Sequence, residues 1–413
     1  MMAHLPETTG QRLRPSQTAR GEAWLSNFRP EDAPAAQQLI DSLHFFSSTT
    51  FRRGLTKHLH SVLTHTASRE RPAALYSVHS SDASGTMFTG GLEPLVPSAG
   101  GSELIVQNIA RATEREFDNA AVSKQTMSLE LLKDRRVRRL VFLSDYAGSG
   151  DEAITYARTW LRNPTIRSWR SLKLIQLHLV LFASSTNALR RLTAGSWYDG
   201  IHILHYGMDF PTADWEQSER EHIRTVCNTY APSANTACGW GGSEGLVVFD
   251  HTIPNNLPMI VRQTKGRSPY GKWVPFFRHR TAPQELMQSL SDYRPDFDRQ
   301  RRLRSIRQPR LAAASQLQTM ERPELAQIID VLAHVAGRRR NPAQLAAALG
   351  ISIPAAMEIT LLAERLGLLD ELARLTDTGW QELHKARRRP RRVTSALQGS
   401  TDPYYPAQLK GSR

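Results

Sequence analysis

One segment of the sequence, Leu140–Glu152 (LVFLSDYAGSGDE), places a carboxylate directly before a loop of small residues. Its four apolar residues predict a buried strand, and Ser144 and Asp145 follow at the carboxyl end of that strand. The loop over 146–150 ends where a helix is predicted to begin, at Asp151. In α/β sheets, ligands bind outside the carboxyl ends of strands, and the N–H groups at a helix N-terminus favour phosphate. Because a carboxylate suits the two hydroxyls of a ribose, the segment predicts a ribose-5-phosphate site.

The chain around this loop alternates between strands and helices. Apolar runs predict strands at Ala73–His79, Arg139–Leu143, Lys173–Phe182, Ile201–His205 and Gly245–Phe249. Apolar residues at helical spacing predict helices at Ala33–Leu43, Thr49–Leu63, Glu103–Phe117 and Asp151–Leu161. This alternation is typical of an α/β domain with a mainly parallel sheet.

The C-terminal part of the chain has a helical pattern instead. Helices are predicted at Pro323–Ala336, Pro342–Leu349 and Pro354–Leu366, followed by a short strand and turn over 368–379 and by Trp380–Leu383. Helix, helix, turn, helix and wing is the order of a winged helix-turn-helix domain. The third helix begins Pro-Ala-Ala, without the polar side chains that read base edges near such a helix start.

Composition limits the compartment and the partners. The chain has 413 residues, only two cysteines and a formal net charge of +14. The two cysteines do not form a disulfide framework or a zinc site, and no cluster of other ligand types predicts a metal centre. No apolar run reaches the ~18 residues of a membrane helix, and the N-terminus lacks the apolar region of a signal peptide. We therefore expect a soluble, cytoplasmic protein without a membrane partner.

The positive charge is concentrated in two short stretches. Arg294–Arg310 contains seven arginines and two aspartates, and Arg387–Arg392 contains five arginines and no acid. Clustered arginine favours contact with a polyanion, and a solvated linker and tail explain the same clusters equally well.

The Leu140–Glu152 segment resembles the diphosphoribosyl motif of the phosphoribosyltransferases. That motif has four apolar residues, two acids, three variable residues and then Thr/Ser-Gly-x-Thr/Ser. Asp145, Ser149 and Gly150 match it, whereas Ser144 replaces the first acid and Glu152 replaces the last hydroxyl residue. A generic strand–loop–helix turn remains the alternative.

The resemblance implies a role for each residue of this segment. It implies Asp145 and Ser144 at the catalytic positions, in pentosyl transfer or nucleotide hydrolysis, and a phosphoribosyl pyrophosphate-like ligand with Mg²⁺. The implied phosphate-binding residues are Ala147, Gly148, Ser149, Gly150, Asp151 and Glu152. In this family, a loop after an early strand holds the pyrophosphate, and here the corresponding residues are Ser98, Gly100, Gly101 and Ser102.

Two further segments are expected near the ligand. His251–Pro258 follows a strand, and its His251 and Asn255 are candidates for contact with a base or ribose edge. A proline-bracketed turn, whose asparagines bond their own backbone, explains the same residues. The Gly-rich run Gly239–Gly245 is expected to form a loop near the site.

The resemblance becomes narrower with other parts of the chain. Trp24-Leu25-x-x-Phe28, His251–Pro258, Trp273–Arg278 and Tyr404–Leu409 together resemble divergent phosphoribosyltransferase-like proteins of bacterial conflict systems. Fusion to a winged helix resembles the effector that accompanies one class of retron reverse transcriptases in antiphage defence. This resemblance implies a phosphoribosyl or nucleotide ligand and a nucleic-acid partner, namely multicopy single-stranded DNA with a reverse transcriptase. A transcription regulator that senses phosphoribosyl pyrophosphate, and a scaffold with an inactive site, are the rival functions.

These patterns divide the chain into six parts. They are a disordered N-terminus (1–20), a helical extension (21–70), the phosphoribosyltransferase-like domain (71–282), a basic linker (283–320), the winged helix domain (321–386) and a basic tail (387–413).

The winged helix domain is mildly acidic, with seven Lys or Arg and nine Asp or Glu over 321–386. Nucleic-acid contact is therefore expected from the arginines that flank its helices, through the phosphate backbone. These are Arg338, Arg339, Arg340, Arg387, Arg388, Arg389, Arg391 and Arg392. A protein-docking role for the domain is the alternative.

Overall fold

The computed structural model describes residues 13–79, 88–89, 93–94, 102–118, 121–123, 127–278, 281–295, 299–318 and 323–388. By their contacts, these residues form two compact units. The first contains Met1–Phe297 and Pro342–Ala356, and the second contains Asp298–Asn341 and Met357–Arg413. The candidate site lies in the first unit.

The strands are numbered in chain order. They are β1 (His44–Phe46), β2 (Ala73–Ser77), β3 (Phe88–Thr89), β4 (Glu93–Pro94), β5 (Val122–Ser123), β6 (Arg139–Ala147), β7 (Gln176–Ser184), β8 (Gly200–Tyr206) and β9 (Val247–Phe249).

The helices of the first unit are α1 (Ala19–Leu25), α2 (Ala33–Asp41), α3 (Ser48–Thr66), α4 (Ser102–Glu116), α5 (Leu129–Asp134), α6 (Asp151–Arg162), α7 (Pro164–Ser171), α8 (Thr186–Ala194), α9 (Gln217–Tyr230), α10 (Met259–Arg262) and α11 (Gln284–Leu290). The later helices are α12 (Arg299–Ser305), α13 (Pro309–Gln318), α14 (Pro323–Ala336), α15 (Pro342–Leu349), α16 (Ile353–Arg365) and α17 (Asp377–Arg387). Three short 3₁₀ helices complete the described elements, at Pro15–Gln17, Ala234–Thr236 and Trp240–Gly242.

The main sheet has five parallel strands in the order β5-β2-β6-β7-β8. From β2 the chain passes outward to β5 and then returns to the other side of β2 as β6. This reversal of direction creates a switch point between β2 and β6, which is where ligands bind in open α/β sheets. The prediction of an α/β fold with a parallel sheet is confirmed.

Strand β6 is longer than predicted because its pairing with β7 continues to Ala147 opposite Ser184. Ser144 and Asp145 therefore lie within the last part of the strand rather than just beyond it. Apolar residues on both faces of β6 and β7 are fully buried, as expected for a central parallel strand with helices on each side. The loop that follows β6 is thus carried by the most rigid part of the sheet.

The N-terminal extension is an integral part of the first unit. Besides its helices, it supplies β1, which pairs in parallel with β9 to form a second, two-stranded sheet. Trp24 is fully buried, and its indole N–H donates to the carbonyl of Ile260 at 3.0 Å. The helical prediction for this segment missed β1, because three residues are too few to show an alternating pattern.

The segment predicted as a basic linker contains helices α11, α12 and α13. Arg299 of α12 forms two hydrogen bonds with the Asp330 carboxylate of α14, at 2.7 and 2.8 Å, within the second unit. Leu303 of the same helix is buried. The arginine-rich composition is compatible with a linker or an extended helix, and here the ion pair of Arg299 and the buried Leu303 anchor a two-turn helix.

The helices predicted for the C-terminal part are present as α14, α15 and α16, but the predicted strand is not. It is reduced to one antiparallel bridge, between Leu369 and Leu375. The helix that follows, α17, begins earlier than predicted, where Thr376 caps it by accepting from the Gly379 N–H. By contacts, α15 belongs to the first unit and lies against β8, although the sequence assigned it to the winged helix domain.

Among the described helices, none alone is long and apolar enough to cross a bilayer, and only α15 with α16 has the required length and hydropathy as a pair, bent by 105°.

Candidate ligand-binding site

Two adjoining clefts open at the carboxyl end of β6. The first, of about 350 Å³, is lined by Ser144, Tyr146–Ala153, Thr155, Trp240, Asn255 and Asn256. The second, of about 590 Å³, is lined by Ser102, Asp145, Tyr146, Glu152, Thr252–Asn256, Arg262–Thr264 and Arg278. Tyr146, Glu152, Asn255 and Asn256 line both clefts, so these residues form the boundary between them. We call them the phosphate cleft and the distal cleft.

The loop between β6 and α6 is oriented by hydrogen bonds to its carbonyls. The Ser185 N–H donates to the carbonyl of Ala147 at 2.9 Å, and the Ser185 hydroxyl donates to that of Gly148. The Arg191 guanidinium donates to the carbonyl of Ser149 at 2.6 Å. All three bonds come from the start or body of α8. These bonds turn the loop carbonyls toward α8. The N–H groups of the loop therefore point away from α8.

The N–H groups of this loop have no partner within the described part of the chain, where Gly148, Ser149 and Gly150 donate to no acceptor. Gly150 has φ +79°, a left-handed conformation that favours glycine, and it directly precedes α6. Free N–H groups in a loop at a helix N-terminus form an anion-binding concavity. The geometry is therefore that expected for a phosphate.

Gly148 is held against Asn256, which closes the phosphate cleft from the other side. A Cβ atom at position 148 would lie 1.9 Å from the side-chain nitrogen of Asn256, so only glycine fits. Asn256 is itself fixed, because its carbonyl accepts from the Gly245 N–H at 3.0 Å and from the Ser243 hydroxyl at 3.1 Å. Gly241 approaches Ser149 in the same way, which places the Gly-rich loop beside the site as predicted.

Asp151 supports the loop through an ion pair. Its carboxylate accepts from Arg191 at 2.6 Å, and its N–H donates to the Ser149 hydroxyl at 3.3 Å. Burial alone would raise the pKa of Asp151, but the hydrogen bonds from Arg191 and Ser149 outweigh it and lower the pKa. The Asp151 side chain thus stabilises the loop, and only its position at the helix start brings it to the phosphate cleft.

Asp145 lines the distal cleft and is held in place by its neighbours. Its Oδ1 accepts from the Tyr146 N–H at 2.7 Å and lies 3.3 Å from the Ser144 hydroxyl. No described residue bonds its Oδ2. Ser144 is buried and lines the phosphate cleft instead. The two residues proposed for the catalytic positions therefore serve adjoining clefts, with one carboxylate oxygen available to a ligand.

Glu152 lies in the first turn of α6 and lines both clefts. The side chain opens onto the clefts, but their walls limit its hydration. This burial, together with the carboxylates of Asp145 and Glu103, raises the pKa of Glu152 to about 7. Near neutral pH the residue is thus partly protonated, and in that form it does not repel an anion at the phosphate loop.

The other predicted site residues divide into three groups. Ser102 begins α4 and lines the distal cleft, whereas Ser98, Gly100 and Gly101 lie outside the described residues. Asn255 is exposed and lines both clefts. His251 lines neither cleft.

The position of His251 has a physical reason. Its ring stacks against Phe249 and packs on Phe51, with centroid distances of 5.2 and 5.0 Å, and it lies 3.2 Å from the Asp250 carboxylate. The aromatic neighbours hold it in the core beside β9. Sequence reasoning placed it with Asn255 because both follow the same strand, but only Asn255, within the proline-bracketed turn, lines the clefts.

Asn256, Arg262 and Arg278 are among the cleft residues that were not named as site candidates from the sequence. Asn256 adjoins a named candidate, and Arg278 ends the segment Trp273–Arg278 that contributes to the family resemblance. Arg262 has no sequence signal except that it follows a buried apolar run, which is common at surfaces. Long-range packing, not local spacing, brings them to the cleft.

Comparison with known families supplies the identity of the chain. Residues 22–279, more than half of the chain, match the family described as PRTase-CE. The chain belongs to the PRTase-CE family. Residues 329–411 match a second family, described as wHTH-PRTase associated. A search of curated proteins and a search of solved structures each found no match.

These matches confirm the resemblance to conflict-system phosphoribosyltransferases and the presence of an associated winged helix. The PRTase-CE match spans both clefts and extends to Arg278. Within the described residues, no group of three or more His, Cys, Asp or Glu is arranged to hold a metal ion by itself.

The candidate nucleic-acid residues lie in the second unit or beyond the described residues. Arg338, Arg339 and Arg340 are exposed after α14. Arg388 is also exposed, but Arg387 donates to the Gln308 side chain at 2.9 Å. Arg389, Arg391 and Arg392 lie outside the described residues.

Helix α16 of the associated winged helix exposes apolar side chains. Met357, Leu361 and Leu362 are between 41% and 47% exposed. These side chains do not match the hydrogen-bonding edges of bases. They leave the flanking arginines as the candidates for nucleic-acid contact.

Replacing Gly148 tests whether its close contact with Asn256 is required for ligand binding. We expect Gly148→Ala to displace Asn256 and to weaken binding of ribose-5-phosphate by about tenfold or more, since several N–H contacts to one phosphate depend on this loop. Calorimetry with the purified protein measures the change. Gly148→Ala combined with Asn256→Gly is the control, because the Asn256 Cβ would itself lie only 2.7 Å from the added methyl group and the whole side chain must be removed to open space. Equal affinity in wild type and Gly148→Ala would show that the ligand does not use this loop.

Gly150→Val would be a less specific test of the loop than Gly148→Ala. A Cβ at position 150 would meet Ala188 at an ordinary contact distance of 3.4 Å, but the left-handed φ makes any branched residue strained there. A loss of binding would then reflect the changed backbone of the loop.

The raised pKa of Glu152 gives the site a pH dependence. Above about pH 7 the folded protein carries an additional negative charge beside the phosphate loop, so affinity for ribose-5-phosphate should fall as pH rises through 7. Titrations from pH 5.5 to 8.5 measure this trend. Glu152→Gln should remove it, and the difference between the two proteins isolates Glu152 from the titration of the phosphate itself. Identical profiles would contradict the assignment.

Proposed function

We propose that this PRTase-CE protein is an effector of a retron-like bacterial antiphage defence system, which binds a phosphoribosyl or nucleotide ligand and is controlled by a nucleic-acid-containing partner. The observation that carries the ligand assignment is the loop after β6, in which three N–H groups have no acceptor among the described residues and line the cleft that adjoins that of Asp145. Membership of a conflict-system family supports the defence role.

The residues of the two clefts have complementary chemical roles in this proposal. The loop N–H groups bind the 5-phosphate and fix the sugar, while Asp145 accepts hydrogen bonds from the ribose hydroxyls. Such positioning favours chemistry at the anomeric carbon, either pentosyl transfer or cleavage of the glycosidic bond. Glu152, with its pKa near 7, is suited to hold or release a proton between the clefts.

Mg²⁺ is the ion expected for a phosphoribosyl pyrophosphate-like ligand. Asp145 and Glu152 both line the distal cleft, and carboxylate oxygens together with ligand oxygens are the donors that Mg²⁺ prefers. When bound, the ion neutralises ligand phosphate charge. The Glu152 carboxylate, which departs from the family motif, would otherwise repel that charge.

The regulatory partner proposed here is a nucleic acid, in the form of multicopy single-stranded DNA with its reverse transcriptase. The exposed arginines after α14 support this part, because arginine binds phosphate without reading bases. The apolar surface of α16 favours a backbone-binding role over sequence-specific operator recognition. It therefore weakens the rival interpretation as a transcription regulator.

Removing the charge of Asp145 tests the proposed chemistry. Asp145→Asn keeps the size of the side chain but weakens its bonds to the ribose hydroxyls, so ribose-5-phosphate affinity should fall by about tenfold or more. Growth inhibition on expression without the neighbouring genes should also disappear. Calorimetry and growth curves measure the two effects. Asp134→Asn, at the exposed end of α5, is the matched control and should change neither.

The outcomes of this experiment separate the two parts of the proposal. Growth inhibition by Asp145→Asn equal to that of wild type would rule out chemistry at this site. Ligand binding without growth inhibition by wild type would leave a binding protein and contradict the effector role.

The basic residues after α14 should make nucleic-acid binding sensitive to salt. Each phosphate contact contributes roughly 0.7 to 0.9 to the slope of log affinity against log salt concentration, so replacing Arg338, Arg339 and Arg340 with glutamine should flatten the slope by about 2 to 3. Fluorescence anisotropy with single-stranded DNA at several salt concentrations measures it.

A variant of equal charge provides the control for this titration. Glutamine at Arg52, Arg53 and Lys57, all exposed on α3, removes the same charge elsewhere and should leave the slope close to that of wild type. If both triple variants flatten the slope equally, the effect is one of net charge. If wild type does not bind, the nucleic-acid partner is wrong.

A further inference from the structure

The distal cleft contains an arginine that is held in place but has no counter-charge. Arg262 ends α10, whose residues Met259, Ile260 and Val261 are buried. The fully buried Trp24 donates to the carbonyl of Ile260, which fixes this turn against the N-terminal extension. The backbone that carries Arg262 is therefore rigid, and its side chain lines the distal cleft but not the phosphate cleft.

The guanidinium of Arg262 lacks the partners that a confined cation usually has. Its Nε atom is buried, and within the described part of the chain it has no hydrogen-bond acceptor and no ion pair. Burial lowers the pKa of Arg262, and no carboxylate offsets this effect. Confining an unpaired charge costs free energy, which an anionic ligand recovers when it binds.

A second arginine lies next to the first. The Phe277 N–H donates to the carbonyl of Val261 at 3.4 Å, which joins the two segments. Arg262 and Arg278 are the next residues along each segment, and both line the distal cleft. Phe276 and Phe277 are fully buried, so the second segment is anchored as firmly as the first, while Arg278 itself is exposed.

The negative charges of the distal cleft do not pair with Arg262. Asp145 and Glu152 line the same cleft, but within the described residues neither carboxylate bonds the buried Nε atom of Arg262. An anionic group near Asp145 and Glu152 would be repelled, whereas one near Arg262 would be attracted. The cleft therefore favours a ligand whose second anionic group extends away from the ribose hydroxyls.

We propose that Arg262 and Arg278 form a second anion-binding subsite, which selects a pentose 5-phosphate that carries a further anionic group. The inference rests on the proposed function, since it takes the 5-phosphate to occupy the phosphate cleft. Two chemical sources supply such a group: a pyrophosphate on the sugar, or a carboxylate on the base. Both bind a guanidinium through paired hydrogen bonds.

Ligand pairs that differ in one group test the subsite with the full-length protein. Phosphoribosyl pyrophosphate is compared with ribose-5-phosphate, and nicotinate mononucleotide with nicotinamide mononucleotide, by calorimetry. Wild type should prefer the more anionic member of at least one pair. Arg262→Gln should lower that affinity by about tenfold to a hundredfold and change ribose-5-phosphate affinity little. A preference in the first pair places the anion on the sugar, and one in the second places it on the base.

Three further measurements test whether the effect of Arg262→Gln is specific to the proposed subsite. Lys265→Gln removes a nearby exposed cation that lines neither cleft and should have no effect. Arg278→Gln should reduce the same preference less than Arg262→Gln, because its side chain is more hydrated. Circular dichroism should show an unchanged fold, since glutamine removes an unpaired buried charge.

Inorganic pyrophosphate, titrated alone, separates failure of the subsite from failure of the proposed function. If pyrophosphate binding depends on Arg262 but ribose-5-phosphate does not bind, the subsite stands and the proposed function fails. If ribose-5-phosphate binds, but neither pyrophosphate nor any ligand preference depends on Arg262, the subsite is wrong and the proposed function stands. If Arg262→Gln weakens ribose-5-phosphate equally, the arginine does not form a separate subsite.

Discussion

The site depends on the direction in which one short loop presents its peptide groups. Three carbonyls between β6 and α6 are bonded by residues of α8, and the opposite edges of those peptides are left to a ligand. Helix α8 is fixed in turn by Asp209, which is fully buried and accepts from both the N–H and the hydroxyl of Thr186 at 2.7 Å. The orientation of this loop therefore depends on a buried carboxylate two strands away, because peptide dipoles point where their hydrogen bonds hold them.

Local spacing was enough to predict the sheet and the glycine-containing loop between β6 and α6. The apolar runs of β6 and β7 have the length and composition of buried parallel strands, and Gly148 and Gly150 stand where backbone approach or positive φ requires them. The same reasoning failed where tertiary contacts decide. The arginines of α12 suggested a solvated linker, yet Arg299 is paired with Asp330. His251 resembled a ligand contact, yet two aromatic rings hold it in the core.

The residues that distinguish this site from a simple sugar-phosphate pocket come from distant parts of the chain. Asn256 reaches Gly148, and Arg262 reaches the cleft of Asp145, only because β9 and the segments after it fold back over the sheet. No periodicity predicts such approaches, since the residues are separated by more than a hundred positions. The presence of Glu152 where the family motif has a hydroxyl residue, by contrast, is visible in the sequence. Its raised pKa is not, because it depends on the surrounding walls of the clefts.

The pairing of β1 with β9 has a consequence for the timing of synthesis. It joins residues about two hundred positions apart, and the wall of the clefts follows β9 directly. During synthesis, β1 of the N-terminal extension therefore stays unpaired until β9 has been translated, after the strands of the central sheet. Long-range pairing of this kind forms late in folding. The ligand site cannot be complete in a nascent or truncated chain. Any binding at these clefts therefore begins only after the whole domain has left the ribosome.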